Sequence, residues 1–235
     1  MTSNAQQGSP RGLVTRAAQL DTGTLPAQIH EFLEEAIIHG DLEPGTRLRP
    51  DKIAAEYGVS RIPVREALSS LQEAGWVDIR PRYGVYVRAR NRTELRELFE
   101  ARAGIEAEIA RLAATRRAAE DIADLQSIVD QTKKAAQRND VDRLSQASVA
   151  FNACIRRAAH NSVLESVSLS LEKRARFYFS PIAGLLGSDW VDNQGKLVAL
   201  LAAGHIDAAG ASARQHIIKT GEAVWLLLGA ESFSD

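Results

Sequence analysis

The stretch from Leu48 to Val87, LRPDKIAAEYGVSRIPVREALSSLQEAGWVDIRPRYGVYV, decides how the chain is to be read. Val64, Ala67, Leu68 and Leu71 recur at helical spacing and give one helix a single buried face. Ser60 stands at its N-cap position, Pro63 falls in the first turn where a missing N–H breaks no intrahelical bond, and Gly75 stops it. Arg61 and Arg65, four apart, share a second face near the positive end of that helix. A guanidinium there suits a phosphate or a guanine edge, since it bonds both in bidentate fashion. Upstream, Ile53, Ala54 and Tyr57 face inward on a short helix, and Gly58-Val59-Ser60 makes the turn between the two. Downstream, Trp76–Arg80 and Val85–Arg88 alternate as two strands joined by Pro81-Arg82-Tyr83-Gly84. The pattern is a winged helix-turn-helix with a two-stranded wing.

Working outward, residues 1–22 are polar, without helical period, and are expected to form a disordered arm; its Arg11 and Arg16 are outside candidates for touching DNA. Leu25-Pro26 opens a helix with Ile29, Phe32, Leu33, Ala36 and Ile37 on one face, closed by Gly40. The winged domain is expected over 23–88 and a short linker over 89–92. From 93 to 230 the pattern is helical throughout, with six helices at about 94–116, 119–137, 141–159, 162–179, 188–203 and 206–229. Thr93 is the expected cap of the first. The run Trp225-Leu226-Leu227-Leu228 is too apolar for a solvent-facing helix end, and is expected to pack into the bundle or a partner subunit. The fold class is therefore mainly α, an N-terminal winged helix-turn-helix with a small β-wing followed by a C-terminal all-α six-helix bundle large enough to bury its own core.

Composition bounds the function. The net charge of −1 gives no sign of nucleic acid, but its distribution does: Arg47 to Arg92 carries ten Lys/Arg against five Asp/Glu, whereas every formal charge from Asp21 to Thr46 is acidic. Taken alone, that excess reads more readily as an ordinary solvated basic face. The single cysteine, Cys154, excludes an intrachain disulfide framework and sits in an apolar helical pattern, as a buried structural thiol would. No signal core and no membrane-length apolar stretch is visible, so the expectation is a cytoplasmic protein.

GVSRIPVREALSSLQEAGWV resembles the DNA-reading domain of the GntR family of bacterial transcription regulators, whose pattern is a turn, S-R-x-P-V-R-E-A-L, then L-x-x-x-G-W/L. The helical half resembles the FCD-type ligand-sensing domain of the FadR-like branch. ARAGIEAEIARLAA is similar to its opening R-x-x-I/L-E motif, FNACIRRAAHN to its F-H-x-x-L/I…N motif, and LVALLAAGHIDAAGASARQHI to its closing motif. Six helices match the shorter, VanR-like version.

The resemblance implies roles. The second helix of the motif enters the major groove with Arg61, Arg65, Ser60 and Ile62; Lys52 and Arg49 contact the backbone; Arg82 and Gly84 at the wing tip meet the minor groove. Arg80 is a further phosphate contact, Arg65 has a competing role in an intradomain ion pair, and Glu66 is expected to pair within the domain. Many family members hold a divalent metal with one Asp and three His. At the matching positions this chain has Ser148, Asn152, Gln194 and His216, so only the last is a retained ligand. A hydroxyl and two amides bring no charge to offset a dication, and no cofactor is expected. The four positions, with Arg102 of the opening motif as a carboxylate anchor, are instead expected to hold a small-molecule effector directly. Lys173-Arg174-Ala175-Arg176 either lines that pocket or is a solvated face.

The resulting expectation is a repressor that binds a palindromic operator in double-stranded DNA as a homodimer, under control of an organic-acid effector, with no membrane partner. The alternatives are a ligand-independent DNA-binding protein with a vestigial pocket and, third, an enzyme on the helical bundle. No nucleophile–base pair or phosphate loop supports the last.

Overall fold

The structure, a computed structural model, describes residues 23–179, 182, 189–229 and 233. The expected arm over 1–22, with Arg11 and Arg16, lies outside the described residues, as does residue 230. The chain divides into two units, Met1–Ala89 and Arg90–Asp235.

In the first unit, α1 (Leu25–His39) carries Pro26 in its first turn and ends at Gly40, whose φ of +86° only a residue without a Cβ adopts easily. Its buried face includes a charge: Glu34 is held by the indole N–H of Trp76 at 2.8 Å. A short strand, β1 (Arg47–Leu48), precedes α2 (Pro50–Tyr57) and α3 (Arg61–Glu73). Val64, Ala67, Leu68 and Leu71 of α3 are buried, and α3 packs against α1, α2 and the following strand. The wing is β2 (Val77–Arg80) and β3 (Gly84–Val87), antiparallel, with Val77 opposite Val87 and Arg80 opposite Gly84. The sheet has three strands in the order β1-β3-β2, not the two expected. Leu48 pairs with Val85 and is buried, but a strand of two residues has no period to read.

The second unit is built around α4 (Arg92–Arg116), which packs against α6 (Val141–Ala158), α7 (Ser162–Phe179), α8 (Asp189–Ala203) and, most extensively, α9 (Ile206–Leu227). α5 (Ala119–Gln137) closes the bundle against α6 and α8. The core joins Ile109, Ala110 and Ala113 of α4 to Leu125, Phe151, Ile155, Leu201 and Ala213. Cys154 is buried there, and burial pushes its thiol up from the usual range. α9 comes close to α4 because it lacks Cβ atoms where they touch. A Cβ on Gly221 would lie 2.8 Å from Phe99, and one on Gly210 would lie 2.9 Å from Arg111.

Three local expectations need correcting. The cap of α4 is Asn91, whose side chain accepts from the Glu94 N–H at 2.9 Å, so the helix starts before Thr93. The expected linker is largely absorbed: Arg90 is buried, donates to the Phe177 carbonyl at 3.0 and 3.1 Å and lies over the Phe177 ring, while Asn91 N–H meets the Tyr178 hydroxyl. The end of α9 packs into its own bundle only in part. Val224 and Leu228, one turn apart, turn inward and leave Trp225, Leu226 and Leu227 exposed. Among the described residues, no helix is long and apolar enough to cross a membrane.

Candidate functional site

The start of α3 presents what a reading helix needs. Its apolar face is consumed by the core, which turns Arg61, Ile62 and Arg65 to solvent; Ile62 is 68% exposed. Ser60 occupies the N-cap in extended conformation without a side-chain capping bond. Arg49 and Lys52 are exposed at the start of α2. The expected competition for a guanidinium falls on a different residue. Among the described residues Arg65 has no ion pair, while Arg61 Nε lies 3.0 Å from Asp51 Oδ1. Glu66 is exposed and likewise has no ion pair among the described residues.

At the wing tip Arg82 holds φ at +69°, in the left-handed region where a Cβ is disfavoured. Gly84, with φ +120°, has Arg47 Nε 3.0 Å from where a Cβ would stand, so its lack of a side chain admits that guanidinium. Arg80 lies 4.7 Å and Arg47 6.0 Å from the Tyr86 ring. Arg47 carried no sequence expectation; its place opposite Tyr86 follows from the β1–β3 pairing.

In the second unit, Arg102, Ser148, Asn152, Gln194 and His216 line one cavity of about 80 Å3, although they come from α4, α6, α8 and α9. Arg102 is buried, and burial lowers its pKa from the ordinary value, opposed by Glu106 and Glu172. Its closest ion pair is a loose one, Nη2 to Glu106 Oε1 at 3.8 Å, and its buried Nε has no hydrogen-bond partner among the described residues. Buried Gln194 Oε1 likewise has none among them. Burial, and secondarily the Arg102 charge, pulls His216 down to about 4, so it is neutral near pH 7. Ala175 and Arg176 line the cavity, whereas Arg174 pairs with Glu94 at 3.8 Å.

Behind these stands a buried network that the sequence reading did not single out. Glu172 accepts from Asn152 Nδ2 at 3.1 Å through one oxygen and pairs with Arg156 through the other. Arg156 also reaches Ser168 at 3.4 Å, and Ser168 donates to Glu106 at 2.8 Å. A signal was present: Ser148, Asn152 and Arg156 recur every four residues, as do Ser168, Glu172 and Arg176. These are polar stripes whose inner members, Arg156, Ser168 and Glu172, are buried.

The donor set does not suit a divalent metal. It offers one imidazole and one carboxylate whose oxygens are both engaged, beside a fixed guanidinium that repels a cation. Among the described residues no three His, Cys, Asp or Glu side chains stand together as a metal site. A second, open groove of about 640 Å3 runs along α4 and α9, with Leu95, Phe99, Ile218 and Trp225 in its lining and Arg96, Glu100 and Glu222 among them.

Residues 25–87 match the bacterial regulatory proteins of the gntR family, and residues 97–219 match the FCD domain. The chain is 34% identical over 115 residues to the HTH-type transcriptional repressor RspR of Escherichia coli (strain K12), covering 49% of this chain and 50% of that protein. It is 31% identical over 132 residues to the gluconate operon transcriptional repressor of Bacillus licheniformis, covering 56% and 54%. The chain thus spans about half the length of these curated relatives. Among solved structures, E. coli McbR/YncC superposes with a TM-score of 0.76 at 20% identity, over 88% of this chain and 100% of that one. A transcriptional regulator GntR from Rhodococcus sp. RHA1 gives 0.71 at 22%, over 86% and 98%. At such identities the likeness is one of fold. With both domains matched in order, the chain belongs to the gntR family of bacterial regulatory proteins, an FCD domain following its winged helix-turn-helix.

Proposed function

We infer that this chain is a cytoplasmic, sequence-specific DNA-binding repressor, acting as a homodimer on a two-fold symmetric operator and controlled by a small organic acid bound without metal in the FCD cavity. The observation that carries the effector reading is the pair of unpartnered buried atoms, Arg102 Nε and Gln194 Oε1. A buried donor or acceptor left unpaired costs about 1–3 kcal/mol, and the two ask for different things. Arg102 needs an anionic acceptor and Gln194 needs a donor, which a carboxylate bearing a hydroxyl supplies together. The cavity is small, about 80 Å3, which suits a small acid. The gluconate operon named for one relative is likewise an operon of a hydroxy acid.

For the DNA half, the exposed Arg61, Ile62 and Arg65 on α3, with Arg82 held in a costly backbone conformation at the wing tip, support groove contacts. For the dimer, the support is the exposed Trp225 and Leu226 beside the open α4/α9 groove. The test is a panel of small hydroxy acids, with matched neutral diols, screened by thermal shift and by operator-binding anisotropy. An effector at a hundred times its Kd adds about 2.7 kcal/mol and changes the DNA affinity. Arg102→Met removes the response to the acid while sparing basal DNA binding. An acid that binds Arg102→Met as tightly as the unaltered chain would refute the anchor. If no acid changes either readout, the ligand-independent alternative replaces this one.

A further inference from the structure

One carboxylate on the proposed reading face stands where simple electrostatics would exclude it. Asp51, in the first turn of α2, stands in the chain between Arg49 and Lys52 and lies against Arg61, on the side expected to face phosphates. Its Oδ1 is 3.0 Å from Arg61 Nε, with the two side chains 58% and 65% exposed. An ion pair so exposed adds almost nothing to folding, and what Asp51 contributes as the acidic residue in the first turn of α2 needs no Arg61 beside it. Its cost for DNA binding is direct, since a negative charge near the backbone opposes association with any duplex.

The geometry accounts for what that charge does. A guanidinium donates from its Nε side edge and from its terminal Nη1/Nη2 edge. With Asp51 against Nε, the terminal edge is the one left for another acceptor, and its two parallel N–H groups match the O6 and N7 acceptors of guanine. The same carboxylate offsets the charge that would otherwise draw Arg61 to the nearest phosphate. Arg65, one turn further along α3 and without an ion pair among the described residues, keeps its full charge for the backbone.

We propose that Asp51 is a positioning and specificity-determining residue: it holds Arg61 with its terminal edge toward a guanine and penalises non-specific phosphate contact. The proposal rests on the reading of α3 as the helix that enters the major groove. It assigns Asp51 no contact with DNA.

The test uses the full chain and a duplex that it selects from a randomised pool, the same duplex with each base pair of one half-site replaced, and a random duplex. Arg61→Ala identifies the base pair whose preference depends on Arg61. The unaltered chain disfavours replacement of that pair by about tenfold or more. Asp51→Ala and Asp51→Asn lower that preference to about twofold and raise affinity for the random duplex several-fold, while Asp51→Glu restores part of the preference. In the Arg61→Ala background, Asp51→Ala leaves base preference unchanged. A uniform loss of affinity on every duplex, or an intact preference in both Asp51→Ala and Asp51→Asn, overturns the proposal. If Arg61→Ala leaves preference untouched at every position, the groove reading of Arg61 fails and takes the proposal with it. Circular dichroism melting checks folding, and the near-isosteric Asp51→Asn decides the outcome if the alanine variant does not fold.

Discussion

Replacing a glycine by alanine in a helix has opposite consequences at two places in the FCD unit, and the contrast tests how α4 and α9 meet. At Gly104, within α4, an added Cβ finds nothing within 4 Å. Gly104→Ala therefore gains only the backbone and propensity benefit and stabilises the chain by about 0.5–1 kcal/mol. At Gly221 the same methyl would lie 2.8, 2.9 and 3.0 Å from Cγ, Cδ1 and Cβ of Phe99. Ordinary carbon contacts begin about 0.6 Å further out, so the helices must separate or Phe99 must leave its rotamer. Overpacking of that kind costs about 1–3 kcal/mol, which exceeds the propensity gain and leaves Gly221→Ala destabilised by about 1–2 kcal/mol. Urea unfolding of the full chain, followed by circular dichroism, measures both. The two variants should fall on opposite sides of the unaltered chain and differ by about 2 kcal/mol. If Gly221→Ala stabilises as much as Gly104→Ala, the close approach of α9 to α4 is refuted. Phe99 also lines the effector cavity, so Gly221→Ala should weaken the response to the acid as well as the fold.

Other outcomes follow from single side chains. His216 is held at about 4 against an ordinary 6.5, so the unfolded chain binds the extra proton first as the pH falls. Relative to His216→Gln, the unaltered chain keeps its full stability above pH 6.5 and loses about 3 kcal/mol by pH 4, which denaturation at graded pH measures. Arg82→Gly should leave stability unchanged or raise it by up to about 1 kcal/mol, because glycine accepts the left-handed conformation. The same change should weaken operator binding and reduce the salt slope by about one, which titration at several salt concentrations checks. Arg90→Ala removes the bonds to the Phe177 carbonyl and should diminish the effector's influence on DNA affinity more than basal affinity, as anisotropy with and without the acid would read.

How far the sequence could be read depended on how local each signal was. The bundle helices were legible because each repeats its apolar face over four or more turns, and the ends of the helix over 162–179 were read to the residue. That Arg102, Ser148, Asn152, Gln194 and His216 line one cavity was legible because the family motifs supplied positions on four helices that periodicity alone would never have joined. Two-residue β1 and the Asn91 cap carry no period and were missed. Glu34 is a surface charge in any local reading, and the Trp76 indole that donates to it once buried lies far along the chain. The same holds for Glu172, whose meaning comes from Asn152 and Arg156 on a neighbouring helix. Asp51 and Arg61 were each visible, but their pairing depends on the crossing of α2 and α3.

The absorption of the linker bears on operator architecture. Arg88 N–H is bonded to the Trp76 carbonyl within the first unit and Arg90 is anchored to Phe177 within the second, which leaves Ala89 as the junction. From Arg88 to Arg90 the chain reaches about 7 Å when fully extended. In the proposed dimer, each reading head is on a leash of that length. One base pair inserted between half-sites displaces one of them by about 3.4 Å and swings it around the duplex by about 35°. Two heads on such leashes follow that displacement poorly, so the number of base pairs between half-sites becomes part of the recognition code alongside the bases themselves.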